Sequence, residues 1–247
     1  PGTESNAIKV AVIDKGADVT LKLDGALGTP DVGTQVQTTS GNAGGAKSGF
    51  IYQWDSTTNS VSLITSDSWT TADVIENGVT DLNISEKTDW YDSQTAYGNV
   101  KWNTIAPRPG TSPFVAERGG ANDEMHIVVF DSTGVITGSP NTLLEKFTFV
   151  SKANNGKTQS GASNYYPQII LDKSSFIYWG SHEPDAYDVS ANAAITSGPN
   201  YGGTGNVGAD STTTFDLFSS DENNRSYTFV KGAETLSATS GEIMTGL

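Results

Sequence analysis

The sequence predicts a β-dominated α+β fold: an antiparallel or mixed sheet, or a β-sandwich, with a few short helices and a β-hairpin insertion. Three observations lead there. Short runs of β-branched and aromatic residues alternate with turns built from Gly, Ser, Thr and Asn. Long amphipathic helical periodicity is absent. Glycine supplies 27 of the 247 residues, enough to close many turns between short strands.

The first strand is the clearest. In AIKVAVID, Ile8, Val10 and Val12 share one face while Ala11 and Ile13 line the other, so both faces are apolar and the strand is central. VTLKLDG alternates Val19, Leu21 and Leu23 against Thr20 and Lys22, the pattern of a half-exposed strand. Residues 28–81 change texture. A loop-like GTPDVGTQVQTTSGNAGGAKSG precedes FIYQW and VSLIT, which flank DSTTNS as a hairpin with a longer turn. That stretch reads as an insertion on the main sheet. One short helical turn is expected within residues 86–97.

HIVVFD is a strand and STGVITGSPNT turns the chain back. LEKFTFVS then resumes as a strand, with Phe147 and Phe149 on one face and Lys146 and Thr148 on the other. Ser139 and Pro140 would suit a helix start, but the alternation and the strand-favouring residues of KFTFV outweigh them. NYYPQIILDK reads as a short helix and SFIYWG as another strand. Residues 185–214 read as a long mobile loop, and FDLF and SYTFVKG as closing strands. In TSGEIMTGL, Thr239 and Glu242 form a capping-box pattern at the start of a helix. Both ends read as cuts, so residues 1–247 are expected to be a single domain taken from a longer chain.

Charge narrows the function classes. A formal net charge of -14 and a pI of about 4.3 repel phosphate backbones, and no basic run offsets this, so direct nucleic-acid binding is not expected. The chain has no cysteine, which excludes disulfides, thiolate metal sites and cysteine nucleophiles. No apolar run approaches the roughly 18–20 residues that cross a bilayer as a helix, and PGTESN has no signal-peptide character. No membrane partner is expected.

The residues offer little for catalysis. His126 and His182 are the only histidines. His126 follows Asp123 and Glu124 and precedes Asp131, yet no G-x-S-x-G turn exists to present a serine, and a structural strand-end histidine is the favoured reading. Glu117, Asp123 and Glu124 could form a carboxylate pair of the glycosidase kind, but sequence does not place them across a cleft, and a solvated acidic surface is favoured. DSTTNS and SSDENN carry oxygen ligands without EF-hand spacing. GPNYGGTGNVG lacks the Lys-Ser/Thr of a phosphate loop. Trp54, Trp69, Trp90 and Trp102 could stack on sugars, although tryptophans of a β domain more often sit in its core. No catalytic residue, metal site or cofactor is expected.

Attention falls on VKWNTIAPRPGTSPFVAERGGANDEMHIVVFD, residues 100–131. Pro107, Pro109 and Pro113 favour an extended, pre-ordered backbone. Arg108 and Arg118 are suited to bidentate pairing with carboxylates, either of the same chain or of a neighbour. With PGTESNAIKVAVID, DWYDSQTAYGNVKWNTIAPRPGTSPFVAERGGANDEMHIVVFD, LLEKFTFVSKA and NYYPQIILDKSSFIYWG, the chain resembles the contractile tail sheath proteins of myovirus-type bacteriophages, especially cyanophage forms. The resemblance covers residues 1–14 and 89–180; residues 28–81 and 185–214 match no pattern of the family and read as variable insertions.

The resemblance implies a structural protein and not an enzyme. Its subunits form hexameric rings stacked around a tail tube, contact the baseplate, and switch from an extended metastable lattice to a contracted one that drives genome delivery. The protein would reside in the virion tail after assembly in the host cytoplasm. The family core has been likened to a subtilisin-type topology, without its chemistry. The arms that link subunits lie outside this segment in the family, so the segment alone is expected to be monomeric. On this reading Trp102, Arg108, Glu117, Arg118, Asn122 and Asp123 are the candidate assembly residues, with the two arginines docking within the subunit or across the lattice. The alternative is a carbohydrate-binding β-sandwich module of a virion or secreted protein; a hydrolase using acids of residues 117–131 is a further one.

Overall fold

Strand β1 (Ile8–Ile13) is central, as its two apolar faces require. In the computed structural model, which describes residues 6–78, 81–179 and the backbone of 224–228, it pairs antiparallel with β10 (Glu124–Asp131) and β12 (Asn224–Thr228). β11 (Thr142–Ser151) adds to the far side of β10, giving the order β11-β10-β1-β12. Helix α3 (Tyr166–Lys173) covers one face, where Tyr166, Ile169 and Ile170 pack on Val10, Ile127, Val129 and Phe147. Ala11, Ile13, Val128 and Phe130 point to the other face and meet Tyr52, Trp90 and Trp102. Sequence expectation and structure agree on the fold class: the chain is β-dominated, with antiparallel sheets and a few short helices.

A second sheet forms between β1 and β10 in the chain. Its strands are β2 (Val19–Leu23), β3 (Gln35–Gln37), β4 (Ser48–Asp55), β5 (Ser60–Ile64), β6 (Val74–Ile75) and β7 (Leu82–Asp89), arranged β3-β4-β5-β2-β7-β6. FIYQW and VSLIT do form a hairpin, β4–β5, turned through residues 56–59 with Asn59 in the left-handed region at φ 53°. Its sheet also takes in β2 and β7, which lie outside residues 28–81. One face is apolar, built from Leu21, Ile51, Val61, Leu63, Trp69, Ile75 and Ile84. The two sheets share a core where Tyr52 of β4 meets the Trp90 ring edge-on, 5.3 Å between centroids.

The return from β7 contains α1 (Trp90–Ser93), the short helical turn expected within 86–97, then the β8 (Thr95–Tyr97) and β9 (Val100–Lys101) pair and a 3-10 turn at Trp102–Thr104. Gly16 lies against this region at φ +59°, and a Cβ there would stand 2.1 Å from the Trp90 ring, so the position accepts only glycine. The turn after β10 is organised by Asp131. Its buried carboxylate accepts the N–H groups of Gly134, Ile136 and Thr137 and the Thr137 hydroxyl. Burial alone would raise its pKa; these bonds hold it below the ordinary value.

Two expectations are corrected. SFIYWG forms no strand among its described residues: α3 stops at Lys173, and the Glu145 carboxylate takes the Ser174 hydroxyl at 2.6 Å and the Ser175 N–H at 2.7 Å. The Ser174 oxygen then accepts the N–H groups of Phe176 and Ile177, curling the chain so that Ile177 enters the core as part of a turn. The alternation of Phe147 with Phe149 is also broken. Phe147 is in the core, whereas Phe149 sits in a bulge at φ 57°. Of SYTFVKG, Ser226–Thr228 belong to β12. Residues 185–214, His182, FDLF, GPNYGGTGNVG, Thr239 and Glu242 lie outside the described residues. No helix among the described residues is long and apolar enough to cross a membrane.

Candidate functional site

Segment 89–124 is the passage from the second sheet back to the first, and its polar groups are arranged around its own backbone. Asp89 ends β7 and caps α1, its carboxylate accepting the Tyr91 N–H at 2.8 Å. Tyr91 is buried, and its hydroxyl donates to the carbonyls of Ala106 at 3.0 Å and Pro107 at 3.4 Å. Burial raises the pKa of that hydroxyl, with Arg108 opposing in part. Trp102 is fully buried in the core between the sheets, its carbonyl taking the N–H groups of Ile105 and Ala106.

Arg108 binds inside the chain. Its guanidinium is 2.5 Å from Asp89 and 3.8 Å from Asp18, and it lies over the Tyr91 ring at 5.8 Å. Asp18 stands just before β2 and Asp89 ends β7, so one cation gathers the outgoing and returning passages of the second sheet. Its geometry satisfies the same-chain alternative of the sequence reading.

Residues 110–112 and 122–124 are zipped together. Gly110 N–H donates to the Glu124 carboxylate and Glu124 N–H to the Gly110 carbonyl, each at 3.0 Å. Asn122, left-handed at φ 60°, donates its N–H to Thr111 Oγ1. The buried Asp123 carboxylate accepts the Ser112 N–H at 2.7 Å, the Ser112 hydroxyl at 2.9 Å and the Ser151 hydroxyl at 2.5 Å. Ser112 in turn caps α2 (Pro113–Ala116), with Pro113 opening the helix. Burial pushes the Glu124 carboxyl up, and Asp123 adds to the rise while the Gly110 N–H opposes it.

The outward face of the segment is α2 and the turn after it. Arg118 lies over the Phe114 ring at 3.6 Å and donates to the Phe114 carbonyl at 2.8 Å. Glu117 pairs with it only loosely, at 3.9 Å, and its side chain is 77% exposed. Of the six candidate assembly residues, then, Glu117 and Arg118 face solvent and Arg108 is held by two acids of its own chain. Trp102 and Asp123 are internal and do not reach a neighbouring surface in this conformation, and the Asn122 N–H is taken by Thr111 of the same segment.

His126 has both ring nitrogens engaged: Nε2–H donates to the Pro107 carbonyl at 2.8 Å and Nδ1 accepts the Phe149 N–H at 3.0 Å. The ring is therefore the neutral Nε2–H tautomer, and neither nitrogen is left for a substrate. Among the described residues no group of three or more His, Cys, Asp or Glu is placed to hold a metal ion. Trp69, Trp90 and Trp102 are buried, so none presents a face to a sugar.

Several structurally important groups carried no sequence signal. Asp14 and Lys152 form a fully buried ion pair at 2.9 Å, joining the residue after β1 to the residue after β11. Lys152 sits in FVSKA, where nothing in the pattern separates it from an exposed lysine. Asp18 and Asp89 could have been flagged as acids bracketing the inserted sheet, but their common partner is visible only in three dimensions. Compared with protein-family models, curated proteins and solved structures, the chain has no match.

Proposed function

We propose that this chain is part of a structural subunit of a contractile phage tail sheath, a lattice of hexameric rings around a tail tube that shortens to drive genome delivery. The observation that carries the reading is segment 100–131. Its residues resemble the sheath family, and its polar groups brace backbone: Arg108, Asp123, Glu124 and His126 all have partners within the chain. Glu117 and Arg118 remain as an exposed charged pair on a rigid support, the form that a lattice contact takes. Partners on this reading are other copies of the subunit, the tube and the baseplate, in the virion tail. Catalysis, a cofactor, direct nucleic-acid contact and membrane contact form no part of it.

Electron microscopy of the full-length protein, expressed alone and with its tube protein, tests the proposal. Rings or tubes of regular axial repeat are expected. Dispersed particles in both preparations would remove assembly as the function.

A further inference from the structure

β11 does not run straight past β10. Met125 faces Val150 and Ile127 faces Phe147, so His126 alone stands opposite Thr148 and Phe149. The extra residue is absorbed at Phe149, whose φ of 57° is a strained conformation for a bulky side chain. Its backbone groups leave the ladder and are taken by two side chains. The N–H donates to His126 Nδ1 at 3.0 Å, and the carbonyl accepts from Asn164 Nδ2 at 2.8 Å. The imidazole also meets the Phe149 ring edge-on, 4.6 Å between centroids, while its Nε2–H holds the Pro107 carbonyl.

We propose that His126 is a proton-operated latch on β11: the neutral imidazole holds the Phe149 bulge closed, and protonation at Nδ1 releases it while the Pro107 bond persists. Nδ1 has one lone pair. A proton there sets N–H against N–H at Phe149 and ends that bond, whereas Nε2–H remains a donor and becomes a stronger one on a cation. The response is therefore one-sided, freeing the strand and keeping the connector. A one-residue slip of β11 would carry Phe147 or Val150 out of the core. The released state is accordingly a local opening of residues 148–150 and not a new register.

The surrounding charged and titratable groups have other partners. Arg108, next to Pro107, binds Asp89 and Asp18; Tyr91 donates to the Pro107 carbonyl. On β10, Asp123 holds Ser112 and Ser151, and Glu124 holds Gly110. On β1, Ile13 is the partner of His126, and Asp14 beyond it pairs with Lys152. The imidazole bonds Pro107 and Phe149, and the Met125 backbone also favours its charged form. Burial opposes its protonation and lowers its pKa, with the Pro107 and Met125 backbone groups acting the other way. This inference rests on the fold alone and is independent of the sheath reading.

The test is nuclear magnetic resonance of the His126 ring nitrogens together with amide exchange of Phe149, corrected for intrinsic exchange, from about pH 8 to about pH 5. At the upper end Nδ1 is unprotonated and Nε2 protonated. Below about pH 6.5 the opening equilibrium at Phe149 rises up to about tenfold per pH unit until the folded-state ring is protonated, while the amides of Ile127 and Val129 keep their protection. His126→Asn, which has no proton to gain, abolishes that pH dependence. Phe149→Gly removes the left-handed strain, so opening is rarer at every pH while its rise with falling pH remains. An opening equilibrium at Phe149 that stays constant across the range in the unaltered protein overturns the latch, whether or not the ring titrates; so does a ring protonated on Nδ1 at pH 8.

Discussion

In the four-stranded sheet β10 buries seven of its eight residues, whereas in the six-stranded sheet β7 buries only Leu82 and Ile84 of its eight. The first sheet is covered on both faces and the second on one. Where both faces are covered, polar groups at strand ends cannot reach water, and each needs an internal partner. Asp14 with Lys152, Asp123 with two serines, and His126 with Pro107 and Phe149 are those partners. The one-faced sheet buries fewer such groups, Thr38, Ser62 and Asp73 among them. There the Asp73 carboxylate is held by Lys47 at 2.7 Å, by Asn42 at 2.8 Å, and by the backbone and hydroxyl of Thr70.

The sharpest way to break this contrast is to remove one buried partner. Lys152→Met leaves the Asp14 charge stranded and should destabilise the protein by about 3–5 kcal/mol in urea unfolding, while adding Asp14→Leu should recover most of that loss. A single-variant cost below about 1 kcal/mol would mean that the pair is not what the covered sheet depends on.

In the one-faced sheet, burial would raise the pKa of Asp73, but its hydrogen bonds to Lys47, Asn42 and Thr70 outweigh that and hold it down to about 2 against an ordinary 3.8. The folded state thus releases a proton that the unfolded chain keeps. The resulting stability, about 2 kcal/mol, is complete above pH ~4 and is lost as pH falls through about 2. Urea midpoints measured against pH should show this acid limb in the unaltered protein and a shallower one in Asp73→Asn.

Arg108→Ala cuts the partly exposed link between Asp18 and Asp89, and a loss of about 0.5–1 kcal/mol is expected, with amide exchange quickening first at the ends of β2 and β7. Equal quickening throughout both sheets would contradict a local tie. The smallest effect on folding belongs to the double variant Glu117→Ala and Arg118→Ala, within about 0.5 kcal/mol. Its readout is assembly of the full-length protein. Lattices that form and contract normally with both side chains removed would end their role as contacts.

The same contrast explains what could be read from the sequence. β1 and β2 were legible because alternation reports directly whether a strand has one covered face or two. The β4–β5 hairpin and α3 were legible because their signals are local. SFIYWG was misread because an apolar run meets the core equally well as a strand or as a turn, and the Glu145 carboxylate that decides between them lies on another element. The Phe149 bulge was invisible for a similar reason, since His126 and Asn164 stabilise it from elsewhere in the chain. At the candidate site the sequence identified Arg108 as a cation in need of acids. It did not say which acids, nor that Asp123 lies inside the protein, and it set Trp102 both among core tryptophans and among the assembly candidates.

Arg108 also bears on how such a molecule could diversify. The second sheet leaves the first after β1 and re-enters it before β10, two strands that are hydrogen-bonded neighbours, and one guanidinium joins acids at its entrance and exit. An insertion anchored this way can be lengthened, shortened or exchanged between lineages without disturbing the β1–β10 register, provided that it retains an acid at each end and a ring in place of Tyr52 to meet Trp90. Inheritance at this position can then proceed by swapping whole modules, while the four-stranded sheet changes only residue by residue.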